Sequence, residues 1–332
     1  MGVRRRSGMV LGALISTVMV LAGCSSPASQ ERSGDPGSGS WDPVTVSTAF
    51  GDVTIPEKPQ RVVALGWGDA EVALALGVRP VGAADWLGVG GDGLGPWVER
   101  RYAGEPPPML GTMRVDMERL AALKPDLILD TRASGDPARY ERLTALGVPV
   151  VSIPKGAESY ATSWKDQLAL IGTALGEKAE ARRLRTELET KLRQAARANP
   201  QFAGATTVVG ARTANSYSAY VEGTSRVNFM RALGFRNSPA VQRLSTGKFS
   251  VPISRERLDL LDADLTVMTT IGVGTEVLRD DPLYRAVPSV AAGHSVVLEE
   301  PAVKQAFASG SVVGLSWVVD RVVPMFAAAM NR

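Results

Sequence analysis

Between Arg61 and Glu299 the chain alternates short apolar, β-branched runs with stretches of helical period, and it breaks that alternation once with a long charged helix. The runs at 61–66, 79–84, 125–131 and 148–153 read as buried parallel strands. Helices are expected between them over 70–76, ended by Gly77, and over 118–123, ended at Lys124-Pro125. A second series follows with strands at 205–213, 264–270 and 294–299 and helices at 225–233 and 254–261. Strands alternating with helices require parallel sheets covered by helices. Two such series imply an α/β chain of two Rossmann-like lobes.

Residues 177–198 join the series. Leu184, Leu188 and Leu192 recur every fourth residue, and Glu187–Lys191 and Glu189–Arg193 stand at pairing distance along the same helix. A helix of this length is a stiff bridge, which allows less relative motion than flexible strands would. The expected organisation is a signal peptide (1–23), a tether (24–43), an N-terminal lobe (44–176), the bridge (177–199) and a C-terminal lobe (200–332).

The signal reading rests on Arg4, Arg5 and Arg6, the apolar run 9–21 and the sequence Leu-Ala-Gly-Cys at 21–24. Thirteen or so apolar residues fall short of the roughly 20 that cross a bilayer. Cys24 is the sole cysteine, so no disulfide can form within the chain. The stretch 21–24 resembles the lipobox of bacterial lipoproteins, which implies that Cys24 is the lipidated first residue of an exported protein on the outer face of the cytoplasmic membrane. The Ser-, Gly- and Pro-rich segment after it has too little apolar surface to offset the entropy of ordering. As a flexible chain it would hold the body about 20–25 Å from its anchor.

Removing residues 1–23 takes away three of 37 basic residues and none of the 34 acidic ones. The remainder is formally neutral, which argues against a nucleic-acid partner.

One sentence is written twice. From Glu118 and again from Glu256 the chain fits Glu-Arg-Leu-x-x-Leu-x-x-Asp-Leu-x-(Leu/Val). The leucines suit a short helix that packs on the strand after it, and an acid in a first helical turn is favoured by about 0.3–1 kcal/mol. That accounts for the leucines better than for the paired glutamates.

Segments 61–82, 117–129, 140–153, 281–298 and 314–327 together resemble the ABC-transporter substrate-binding proteins that carry ferric siderophores, haem or cobalamin. The resemblance implies a class III periplasmic-binding-protein-like fold, a monomer, no resident cofactor and iron carried only as a chelate. It also implies that Glu118 and Glu256 dock into an ABC permease dimer, one from each lobe.

Ligands of open α/β sheets gather at the carboxyl ends of strands. By that rule the candidate ligand residues are Trp67, Trp86, Arg114 and Arg132 in the first lobe, with Tyr217, Tyr220, Phe249 and Phe307 in the second. Aromatic walls and arginines would grip a bulky anionic chelate. The Gly-rich stretch 88–97 opens no clear helix and reads as a loop at the cleft rim, not a dinucleotide fingerprint. His294, the only histidine, stands at a strand start, so a zinc or manganese site of several imidazoles is excluded.

A ferric siderophore is therefore the expected ligand. Haem or cobalamin is the alternative within the class, haem being held by Tyr217 or Tyr220. An exported α/β enzyme is the rival class; the chain has no Gly-x-Ser-x-Gly elbow, and the stretch 245–250 lacks the leading glycine of a phosphate-binding loop.

Overall fold

A computed structural model describes residues 41–85, 93–98, 102 and 104–332. The signal peptide, Cys24, most of the tether, Trp86 and half of the Gly-rich loop (88–92) lie outside the described residues. An unforeseen antiparallel hairpin, β1 (Val44–Thr48) with β2 (Gly51–Ile55), comes first. The first series then runs β3 (Val62–Ala64), α1 (Asp69–Ala75), β4 (Gly82–Ala83), α2 (Met117–Ala122), β5 (Leu127–Leu129), α3 (Pro137–Thr144), β6 (Val150–Val151) and α4 (Trp164–Ala174). Its four strands form one all-parallel sheet in the order β4-β3-β5-β6.

The bridge, α5 (Lys178–Ala198), has 21 residues, a rod of about 32 Å. After it come β7 (Thr206–Arg212), β8 (Tyr217–Tyr220), α6 (Ser225–Ala232), β9 (Arg236–Asn237), α7 (Pro239–Gln242) and β10 (Ser250–Ile253). They are followed by β11 (Leu265–Thr270), α8 (Glu276–Arg279), α9 (Pro282–Arg285), α10 (Pro288–Ala291), β12 (Ser295–Val297), α11 (Pro301–Ser309) and α12 (Val312–Met330). The second sheet is mixed, not wholly parallel like the first: β9, β7, β11 and β12 pair in parallel, while β8 runs against them, pairing antiparallel with β7 on one side and with β10 on the other. A four-residue turn at 213–216, closed by the Thr213 and Ser216 hydroxyls, sends the chain straight back after β7. A parallel return would need a crossover of a dozen residues or more.

The repeated motif has a structural half. Asp126 accepts the backbone N–H groups of Gln60 and Arg61 at 2.8 and 2.9 Å, which fixes the entry to β3. Asp264 does the same for β7, accepting Thr206 N–H at 2.7 Å and its hydroxyl at 2.8 Å. Leu120, Leu258 and Leu261 are buried against their sheets. The helices differ. Asp116 caps α2 by accepting Arg119 N–H, whereas residues Arg255–Leu261 form a kinked 3₁₀ helix with no side-chain cap.

The pairs expected on α5 do not form: Glu187 and Glu189 pair instead with Arg183 and Arg185, four residues earlier on the same helix, and contacts to neighbouring helices take the rest. Lys191 reaches α12, donating to Asp320 and to the Ser316 carbonyl at 2.6 Å each. Glu189 accepts from Lys165 of α4 at 2.6 Å and from Arg185 at 3.1 Å. Leu188 and Leu192 face inward. Helix α12 has the length and hydropathy of a membrane span, yet half of it is buried. Its apolar face shares one hydrophobic cluster with α1, α4, α5 and strands of both sheets. Trp41–Arg332 form one compact unit.

Candidate functional site

At the carboxyl end of β3 the chain turns through Gly66 and Trp67. The Asp69 carboxylate, fully buried, accepts Gly66 N–H at 3.1 Å, Thr131 N–H at 2.9 Å, the Thr131 hydroxyl at 2.5 Å and the Gln167 amide at 2.7 Å. Gln167 also donates to the Trp67 carbonyl at 2.8 Å. Gly66 has no alternative, since a Cβ there would lie 2.3 Å from Asp69. The loops after β3 and β5 are thereby held together, and Trp67 is presented at their edge.

The Trp67 ring stacks on Tyr160 with centroids 4.4 Å apart. Tyr160 adopts φ +56°, left-handed backbone that is costly for an aromatic residue. Its amide donates to the Ala133 carbonyl at 2.8 Å and its hydroxyl to Met113 Sδ at 3.4 Å. Met113 is 70% exposed, and Arg114 beside it is exposed. Beneath this surface Arg139 and Asp130 form a buried forked ion pair at 2.7 and 2.9 Å, and Arg139 also donates to the Thr112 carbonyl at 3.2 Å. Tyr160 and Met113 carry no motif in the sequence; only the fold brings them beside Trp67.

In the second lobe the Arg212 guanidinium, at the carboxyl end of β7, lies over the Tyr217 ring at 4.6 Å. Tyr220 sits between Arg226, 4.2 Å above its ring, and Phe249, centroids 6.4 Å apart. Phe249 and Ile271 are about half exposed. Tyr217 is buried, and its hydroxyl donates to Asp281 at 2.8 Å, so it has no free hydroxyl for a ligand. Burial first, then the Asp281 carboxylate, pushes the Tyr217 phenol far above its usual range.

Four expected ligand residues turn out to be interior: Tyr217 and Tyr220, and with them Phe307 and Arg132. Phe307 belongs to α11, not a loop, and meets Phe229 edge-on at 5.5 Å. Arg132 is 1% exposed. It donates from Nε to the Thr162 carbonyl at 2.9 Å, from Nη1 to the Ser309 carbonyl and from Nη2 to the Gly310 carbonyl at 3.3 Å. Arg132 therefore ties the first lobe to the α11–α12 corner.

Glu71 reinforces that corner from α1. Its carboxylate accepts from the hydroxyl of Ser311, the residue that caps α12 through Gly314 N–H. Burial raises the Glu71 pKa, opposed by Ser311, Trp97 and Gly95. A carboxyl whose folded pKa exceeds its unfolded value adds stability while protonated and loses it as pH rises through the folded value. Glu71→Gln is therefore expected to flatten the fall in Tm from acid to neutral pH. Parallel Tm–pH curves for the two proteins would contradict this.

Glu118 and Glu256 are both exposed. The arginines flanking them are engaged by their own lobes: Arg119 with the Met109 carbonyl at 3.2 Å, Arg257 with Asp259 at 3.1 Å, and Arg255 with Asp281. Grooves of about 490 and 540 Å³ flank α5. Their walls are helix surface, lined by residues such as Glu187, Lys191 and Asp320 in one and Glu189 and Arg193 in the other, away from the strand ends.

Comparison with known proteins agrees with this architecture. Residues 62–302 match the family described as periplasmic binding protein. A substrate-binding lipoprotein of an ABC transporter in Bacillus subtilis, YvrC, itself uncharacterised, is 29% identical over 57% of this chain and 58% of its own. The probable siderophore-binding lipoprotein YfiY of the same organism is 34% identical over 50% of this chain and 48% of its own. The chain thus spans about half the length of these curated relatives. Among solved structures, PiaA of Streptococcus pneumoniae in complex with ferrichrome superposes with a TM-score of 0.74 at 22% identity, covering 87% of this chain and 99% of that one. A match over most of the body, on two α/β lobes joined by one long helix, means that this chain belongs to the periplasmic binding protein family.

Proposed function

We propose that this protein captures a ferric siderophore between the carboxyl ends of its two sheets and delivers it to an ABC permease, anchored outside the cytoplasmic membrane through Cys24. The observation that carries the reading is that aromatic side chains and arginines gather at those ends in both lobes. The first lobe offers Trp67 stacked on Tyr160, with Met113 and Arg114 exposed beside them, and the second offers half-exposed Phe249 and Ile271, with Arg226 over the buried ring of Tyr220. Flat or bulky anionic chelates are held by such surfaces, with arginine forks on the chelating oxygens and rings on the organic shell. The siderophore assigned to YfiY and the ferrichrome bound to PiaA lend support from related proteins. Haem is less well served, because Tyr217 is committed to Asp281.

The test is titration of tryptophan fluorescence with ferrichrome, ferric citrate, a ferric catecholate, haemin and cobalamin. A ferric siderophore should quench saturably, and Trp67→Ala should weaken its binding about 30-fold, as expected for an aromatic anchor worth roughly 2 kcal/mol. Quenching by haemin or cobalamin alone would move the assignment within the family, and quenching by none would defeat it.

A further inference from the structure

We propose that Asp281 is a positioning residue that couples the ligand-facing end of β7 to the docking acid Glu256. The proposal rests on the function proposed above for its two ends, but the link between them is a matter of geometry. Each contact along it is direct. Arg212, the last residue of β7, lies over Tyr217 at 4.6 Å, and the Tyr217 hydroxyl donates to Asp281 Oδ2 at 2.8 Å. Arg255 then grips the same carboxylate as a fork, Nη1 to Oδ2 at 2.9 Å and Nη2 to Oδ1 at 3.0 Å. Glu256 is the next residue.

The Asp281 side chain is 3% exposed, whereas that of Arg255 is 50% exposed. A forked bond to a fixed, buried carboxylate restrains an otherwise mobile arginine and the backbone that carries it. The carboxylate is itself anchored by the N–H of Leu283, whose helix α9 it caps. Burial opposes its charge, but Tyr217, the Leu283 amide and Arg255 outweigh that and hold the carboxyl below its usual range.

The 3₁₀ helix that bears Glu256 needs such a restraint. It has no side-chain cap and is kinked at Arg257, where φ is −120° and ψ 33°. Its counterpart α2 begins with the Asp116 cap and follows a loop pinned by the Asp130–Arg139 pair at the Thr112 carbonyl. In both lobes, then, a buried aspartate held by an arginine fork stands near the acidic residue. In the second, the fork also receives a hydroxyl from the residue under Arg212, so a shift at the strand end alters the partner of Arg255.

Amide hydrogen exchange on the mature protein tests this without a permease. In the ligand-free protein, Asp281→Asn should speed exchange of amides 255–262 by about tenfold while leaving β7 and β11 unchanged. Tyr217→Phe, which keeps the ring and loses the donor, should act in the same direction, and the double variant should exceed Asp281→Asn by little, because the two lie in series. With ferrichrome or ferric citrate as probe, binding should slow exchange at 255–262 in the native protein. Asp281→Asn should bind the probe within about threefold of the native affinity, a change of under 1 kcal/mol, yet lose that slowing. An unchanged 255–262 segment in Tyr217→Phe, acceleration spread evenly over the lobe, or ligand-induced slowing that survives in Asp281→Asn would overturn the proposal. If neither probe binds the native protein, the ligand-free comparison still decides whether the link exists, and it is the ligand assignment that fails.

Discussion

Arg132→Met should lower the unfolding free energy by about 3–5 kcal/mol, the range for removing one partner from a buried charged network. The guanidinium is fully enclosed, and burial pushes its pKa down to about 10 against the attraction of Asp69 and Glu71, so it stays charged at neutral pH. Methionine fills the volume but donates nothing. Three carbonyls, of Thr162, Ser309 and Gly310, would lose their donor, and two buried carboxylates would lose the nearest counter-charge. The corner cannot easily close around the loss. Gly310 ends α11 with φ +57°, and a Cβ there would sit 2.5 Å from Ser225. Urea denaturation measures the effect, and a loss below about 1 kcal/mol would mean that the interlobe tie contributes little. The same experiment bears on rigidity, since α5 and α12 share one apolar cluster with both sheets and Arg132 is the polar fastening beside it.

Glu118→Ala combined with Glu256→Ala should abolish ligand uptake by cells while leaving ligand affinity within about twofold of native. Both side chains are exposed, so neither substitution opens a cavity, and surface changes of this kind usually alter stability by no more than about 0.5 kcal/mol. The arginines beside them are held by the Met109 carbonyl, Asp281 and Asp259. That leaves the glutamates as the groups presented outward, where a cationic socket on a partner could meet them. Uptake assays with the labelled ferric chelate, run beside fluorescence titration, separate delivery from capture. Normal uptake by the double variant would refute the docking role.

Much of the fold is legible in the chain because parallel strands and their helices leave local signatures. The runs at 205–213 and 264–270 contain β7 and β11, and the helix expected over 177–198 became α5 at 178–198. Asp126 and Asp264 are visible in the doubled motif, although their strand-entry role emerges only when Gln60, Arg61 and Thr206 are brought to them. The antiparallel strand β8 beside β7 was missed because a four-residue turn and a short strand look alike whichever way the strand pairs.

The candidate site was less legible. The strand-end rule selected Trp67, Arg114 and Phe249, whose side chains reach the surface at least in part, but also Arg132, Tyr217, Tyr220 and Phe307, which lie inside. Position along a strand states how far a side chain is from the sheet's edge, not which face it turns to or what stands opposite. Tyr160, 93 residues beyond Trp67 in the chain, could be paired with it only by folding.

The amino-acid sequence by itself determined the alternation of strands and helices, the long bridge and the two outward glutamates. The first two follow from apolar period and propensity within a dozen or so neighbours, and the glutamates stand out because the motif around them is repeated. Tertiary structure alone decided that Arg132 fastens the lobes, that Lys191 leaves Glu187 for Asp320 and that Tyr217 spends its hydroxyl on Asp281. The physical reason is that a buried charge or donor is settled by whichever partner the enclosing fold leaves within about 3 Å of it, and such partners lie 64 to 177 residues away.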